Sequence, residues 1–157
     1  MKAITHDAFS LGVGLYLAYR VEQPPTLTFL LLVVWLAFAT NEVIDILGHM
    51  TRGGRSVRSF WTHSVFTAPV WGIAVALASA YLLGAVVGQA MSISQGLFAG
   101  VIGVVFAFSH LLLDSLTEGG IYLGERRLAL AHLRYDNYVL NGVFTALGVL
   151  LVFAALA

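Results

Sequence analysis

No cysteine occurs in the 157 residues, which excludes a disulfide framework, a thiolate metal site and a thiol nucleophile. Charge is scarce as well. Charged residues make up 10% of the chain, against about a quarter in an ordinary soluble domain. The eight basic and eight acidic side chains give a formal net charge of zero. Such a chain offers no bulk electrostatic attraction to a polyanion, so no nucleic-acid partner is expected. One connection, GAVVGQAMSISQG from Gly84 to Gly96, has no charged residue at all.

Apolar residues are present in excess. They reach 59% of the chain, and the mean hydropathy is +0.89. A soluble domain of this length lacks the interior to cover so much apolar surface, so a single all-α transmembrane domain spanning residues 1–157 is expected, with membrane lipids as its surroundings. Leu27–Leu47, Ser64–Leu83, Leu97–Leu116 and Val139–Ala157 each reach the roughly 20 residues that cross a hydrocarbon core. A fifth helix, near 3–21, reaches that length only by adding Ala3–Asp7 to the apolar stretch Ala8–Tyr19. It then carries His6 and Asp7 to membrane depth, where ionisable groups need protein partners. A cleaved signal peptide is the competing reading of this segment, but Asp7 interrupts the basic start and no small-residue cleavage site follows LYLAYR. The expected polytopic bundle therefore has helices near 3–21, 27–47, 64–83, 97–116 and 139–157.

Five crossings sort the basic residues sharply. Lys2, Arg52, Arg55, Arg58, Arg126, Arg127 and Arg134 fall on one face, and Arg20 alone on the other. The excess of Lys and Arg in cytoplasmic connections places the N-terminus inside the cell and the C-terminus outside. The remaining polar residues share that bias. His6, His49, His63, His110 and His132, with Asp7, Glu42, Asp45, Asp114, Glu118, Glu125 and Asp136, lie at or near the cytoplasmic ends, and Glu22 is the exception. A protein conducting ions across the bilayer needs polar groups along the whole path; this one is polar at one end.

Spacing ties these residues together. In NEVIDILGH, Glu42, Asp45 and His49 recur at intervals that share one helical face, and in FSHLLLDSLTEGG so do His110, Asp114 and Glu118. Gly53-Gly54 and Gly119-Gly120 then close both helices. Both helices would end, with their partially negative termini, among these acids, which is unfavourable unless a cation shares the space. Two further helices open with a common pair, Thr5-His6 in ITHDAF and Thr62-His63 in WTHSVF, where threonine can cap and histidine occupy the first turn. The result is a weak internal repeat, a Thr-His helix followed by an acid-and-histidine helix, whose two copies would be related by an axis along the membrane normal.

Between the two pairs, His6, Asp45, His49, His63, His110 and Asp114 would converge. Four imidazoles and two carboxylates suit a divalent transition metal, zinc or manganese first and iron next, better than calcium or magnesium. The set is large enough for two ions, or for one ion with surrounding groups that orient its ligands. Glu42 or Glu118 is placed to act as general base for an attacking water.

The segments THDAF, NEVIDILGHM, FWTHSVF, SHLLLDSLTEGGIYL and RLALAHLRYDN together resemble the inner-membrane proteins known as membrane-bound metal-dependent hydrolases and their short archaeal relatives. The resemblance runs from Thr5 to about Asn141. It implies that His6, Asp45, His49, His63, His110 and Asp114 occupy that family's characteristic polar positions.

Plainer roles stand beside these. His132 reads as an interfacial residue, and the His110–Asp114 pair is also compatible with a buried hydrogen bond. Arg52, Arg55 and Arg58 read as topology determinants that touch anionic lipid, with contact to a substrate phosphate as an added role. Gly96 and Gly100 read as helix packing. The expected function is hydrolysis of an ester or phosphoester, a lipid among the candidate substrates, at the cytoplasmic membrane interface. The alternatives are a non-catalytic membrane module, with a structural metal or a docked cytoplasmic partner, and a metal-ion carrier.

Overall fold

A computed structural model describes residues 1–21, 25–52, 55–88 and 92–157. Glu22 and the pair Gly53-Gly54, to which the sequence assigns an exceptional location and a helix stop, lie outside the described residues. The architecture is an all-α bundle, in the order α1 (Ala3–Val21), α2 (Leu27–Gly48), β1 (His49–Arg52), β2 (Arg55–Arg58), α3 (Phe60–His63), α4 (Ala68–Val87), α5 (Ile93–Ser115), β3 (Ile121–Leu123), β4 (Arg126–Leu128) and α6 (Tyr138–Leu156). Among the described residues, α2, α4, α5 and α6 are long and apolar enough to cross a membrane. Helix α1 carries buried His6, Asp7 and Ser10 and packs mainly on α6 and α2.

Local chemistry sets the boundaries. Thr26 Oγ1 accepts from Phe29 N at the start of α2, and Asn137 Oδ1 accepts from Leu140 N at the start of α6. Helix α5 begins at Ile93, earlier than its apolar run, because Ser92 and Gln95 form a reciprocal capping box. Helix α4 begins later than Ser64. Residues 64–67 are drawn into a turn in which Val65 N donates to Tyr122 O at 3.0 Å, and the long helix starts only at Ala68, with proline in its first turn. Thr62 and His63 consequently end the short α3 and do not open a spanning helix. Thr5 does not cap α1 either: it lies inside that helix and its hydroxyl donates to Asn141 Oδ1 at 2.7 Å.

Glycine allows the two tightest crossings. A Cβ on Gly12 or Gly148 would strike the backbone of the facing helix where α1 meets α6, and Gly72 and Gly103 do the same where α4 meets α5. Gly96 and Gly100, read from sequence as packing positions, have open space where a Cβ would stand, so they seat no other helix among the described residues. One end of the bundle is filled by Phe29, Leu32, Val33, Leu36, Ile102 and Phe106, all buried. The opposite end holds the polar residues and both hairpins, β1–β2 and β3–β4, which are antiparallel two-stranded ribbons absent from the sequence-level expectation.

Candidate metal centre

Helices α2 and α5 deliver their carboxylates at their C-terminal ends, where unpaired carbonyls carry partial negative charge. Asp45 stands three residues before the end of α2, and Asp114 is the penultimate residue of α5. His110, one turn before Asp114, reaches the same space, and His63 arrives from the end of α3. Gly48 lets α3 come that close, since a Cβ there would collide with the Thr62 hydroxyl and the His63 ring.

Asp45, His63, His110 and Asp114 each offer one ligand atom, all within 4.8 Å of one another. His63 Nε2 lies 3.6 Å from Asp45 Oδ1 and 3.4 Å from Asp114 Oδ2. The corresponding distances from His110 Nε2 are 3.4 and 3.3 Å. Ligands about 2.0–2.2 Å from a tetrahedral ion stand roughly 3.3–3.6 Å apart, so these spacings fit a transition metal. The decisive observation is that His63 Nε2, His110 Nε2 and Asp114 Oδ2 are buried and have no hydrogen-bond partner. Each such orphan costs about 1–3 kcal/mol, and three facing one point are what a cation would satisfy. The group can hold a metal ion.

The groups behind the ligands fix their orientation. Asn41 Nδ2 donates to Asp7 Oδ1 at 3.1 Å, to Ser10 Oγ at 3.3 Å and to Ala37 O at 2.8 Å. With its amide nitrogen so employed, Asn41 Oδ1 accepts from His110 Nδ1 at 3.1 Å. His110 then carries its proton on Nδ1 and turns the lone pair of Nε2 toward the centre. His63 Nδ1 is likewise engaged, 2.9 Å from Thr62 Oγ1. The second oxygen of Asp114 faces away from the cluster, where Arg58 Nη2 donates to it at 2.6 Å and the Met1 amine at 2.7 Å.

Sequence reasoning named six ligands, and the structure separates them. His6 stacks on His110, with ring centroids 4.0 Å apart, but its Nε2 faces Asp114 Oδ1 at 3.2 Å, on the side away from the four-residue group. His49 is the first residue beyond α2. Its half-exposed ring stands at the rim, with Nδ1 3.9 Å from Asp45 Oδ1, and partial burial holds its pKa below the ordinary imidazole value. Glu118 is not on the α5 face with His110 and Asp114. The helix ends at Ser115 because Thr117 folds back, its amide and hydroxyl both donating to Asp114 O, and Glu118 is exposed in the following turn. Glu42 is exposed and does not line the cleft over the site. His132 is exposed in the loop before α6, at φ 50°, apart from the cluster.

A cleft of about 900 Å³ opens over Asp45 and His49. Glu118, Arg58, Arg127, Lys2, Tyr122 and Tyr135 also line it. Asn41 and Arg58 are the contributors sequence reasoning did not place at the centre. The signal for Asn41 was present, since Asn41 and Asp45 have the same four-residue spacing as His110 and Asp114.

No curated protein and no solved structure matches this chain. A family model does match it over residues 1–113, a stretch that includes His6, Asp45, His49, His63 and His110 and stops one residue short of Asp114. The chain belongs to that family, described as a protein of unknown function (DUF1286).

Proposed function

We propose that this protein is a membrane-embedded, metal-dependent hydrolase of an ester or phosphoester, with its site and N-terminus at the cytoplasmic face and its C-terminus outside. The orientation rests on the seven-to-one division of Lys and Arg when α1 is taken as a fifth crossing. The observation that carries the reading is the trio of buried, unpartnered atoms on His63, His110 and Asp114, which Asp45 Oδ1 completes.

Asp45, His63, His110 and Asp114 would hold the ion, zinc or manganese by their mixed nitrogen and oxygen donors. When bound, it supplies Lewis acidity and acidifies water toward neutrality. Asn41 and Thr62 keep the two imidazoles aimed, and the two carboxylates offset a divalent charge. Asp45 is 23% exposed while the other three ligands are sealed, so the cleft approaches the centre from its side. Glu118 lines that cleft, and in this reading it would accept the proton of the attacking water.

A structural metal site is the second reading, favoured by the count of four protein ligands, which is the closed number for tetrahedral zinc. The apolar packing at the other end of the bundle supports neither a channel nor a carrier path. Detergent-purified protein loaded with manganese or zinc should hydrolyse bis-p-nitrophenyl phosphate or p-nitrophenyl acetate, and chelation should stop it. Glu118→Gln should keep the metal and lose roughly a hundredfold in turnover. A metal-loaded protein inert toward both esters would leave the structural reading.

A further inference from the structure

The two oxygens of Asp114 face different partners: Oδ2 looks into the four-residue centre, and Oδ1 is held by Arg58. A carboxylate shared in this way resembles the bridging carboxylate of a two-metal site, with a guanidinium where the second cation would stand. The oxygens of one carboxylate are about as far apart as two oxygens of one phosphate. An anion on the cleft side of Asp114 would meet the Arg58 donors that Asp114 leaves unused.

Arg58 has donors to spare for this. A guanidinium carries five N–H groups. Arg58 Nη1 donates to Thr117 Oγ1 and Gly120 O, each at 3.0 Å, and Nη2 donates once to Asp114 Oδ1. One Nη2–H and the Nε–H have no partner among the described residues. The side chain is 11% exposed and lines the cleft. Tyr122 secures its backbone, donating from its hydroxyl to Arg58 O at 3.3 Å. Arg127, brought alongside by the β3–β4 ribbon, also lines the cleft and is steadied by a hydrogen bond to the Glu118 carbonyl. Lys2 adds a third cation to the lining, against the carboxylates of Asp45 and Glu118, and Asp45 belongs to the metal set. Three cations therefore line the cleft, and two of them are guanidinium forks suited to phosphate oxygens, Arg58 with donors left over from its pair with Asp114.

We propose that Arg58 and Arg127 form a phosphate-binding subsite beside Asp114, which narrows the substrate of the hydrolase reading, on which it rests for the reaction, to a phosphate ester. Anion binding itself does not need that reading. The phosphate is either the headgroup of a lipid in the surrounding leaflet or that of a water-soluble ester.

Binding to the full chain in detergent is measured by calorimetry with inorganic phosphate and with sn-glycerol 3-phosphate. Binding to the chain in nanodiscs is measured by flotation against vesicles of phosphatidylcholine with and without phosphatidic acid. Each is run on chelated and on manganese-loaded protein. Wild type should bind phosphate, and Arg127→Gln, an exposed position whose loss spares the fold, should weaken it about tenfold or more. Arg58→Lys keeps the charge against Asp114 but removes the fork, and should weaken phosphate to a similar degree, on chelated as on manganese-loaded protein. Binding of sn-glycerol 3-phosphate assigns a water-soluble ester; binding of phosphatidic acid vesicles without it assigns a lipid headgroup. Wild type that binds neither, or both variants binding like wild type, overturns the subsite even if metal is present. Arginine-dependent phosphate binding by a protein that takes up no metal retains the subsite and removes the metal reading instead.

Discussion

The two halves of the chain repeat one sequence pattern and diverge in what each brings to the site. Along the chain, the first half pairs Thr5-His6 on α1 with Asn41 and Asp45 on α2, and the second pairs Thr62-His63 ahead of α4 with His110 and Asp114 on α5; in space, His6 stacks on His110 and meets Asp114. His110 and Asn41 hold corresponding positions and touch each other at 3.1 Å. One is an imidazole with a free lone pair, and the other is the amide that holds it. The carboxylates diverge too. Asp114 is fully buried and clamped by Arg58, while Asp45 stays partly exposed at the cleft. The second half therefore contributes three of the four candidate ligands, with Thr62 behind His63, and the first half contributes Asp45 and the Asn41 amide behind His110. A symmetric pair of half-sites would hold two ions; this asymmetry gathers four candidate ligands at one point, with Arg58 on the far side of Asp114.

Substitutions can break that comparison directly. His63→Ala removes a ligand, and metal retention in detergent-purified protein should be abolished. A smaller loss is expected for Asn41→Ala. It frees the His110 ring to turn and to change tautomer, so metal affinity in a competition titration should fall between tenfold and a hundredfold, about the usual range for such supporting groups. His6→Ala, the counterpart of His63→Ala, should cost least, about tenfold or under. Its ring supports Asp114 from behind, and Arg58 still holds the same oxygen. Equal losses in His6→Ala and His63→Ala would mean that the halves are equivalent and that the four-residue set is the wrong one.

Much of this was legible in the sequence, for identifiable reasons. Spans such as α2 and α6 follow from apolar length alone, and the clustering of histidine and acid at one end follows from counting along the chain. The four-residue spacings on α2 and α5 placed Asp45, His110 and Asp114 on facing surfaces. What the sequence concealed depends on events at helix ends. Thr117 stops α5 before Glu118, and the bond between Val65 and Tyr122 delays α4, so Thr62-His63 finishes a short helix instead of capping a long one. Strands of three or four residues give too little periodicity to be seen, yet they carry Arg58 and Arg127 to the cleft. Separating His6 from His63 needed side-chain direction, which spacing does not supply.

The central claim is that Asp45, His63, His110 and Asp114 hold one transition-metal ion. Elemental analysis of detergent-purified wild type, after dialysis against manganese or zinc, reads it most directly when paired with Asp114→Asn, which nearly keeps the shape but removes one of the two charges that offset a divalent cation. One ion per chain in the wild type and none in Asp114→Asn is the predicted result. A metal-free wild type, two ions per chain, or an Asp114→Asn variant that keeps its metal would contradict it.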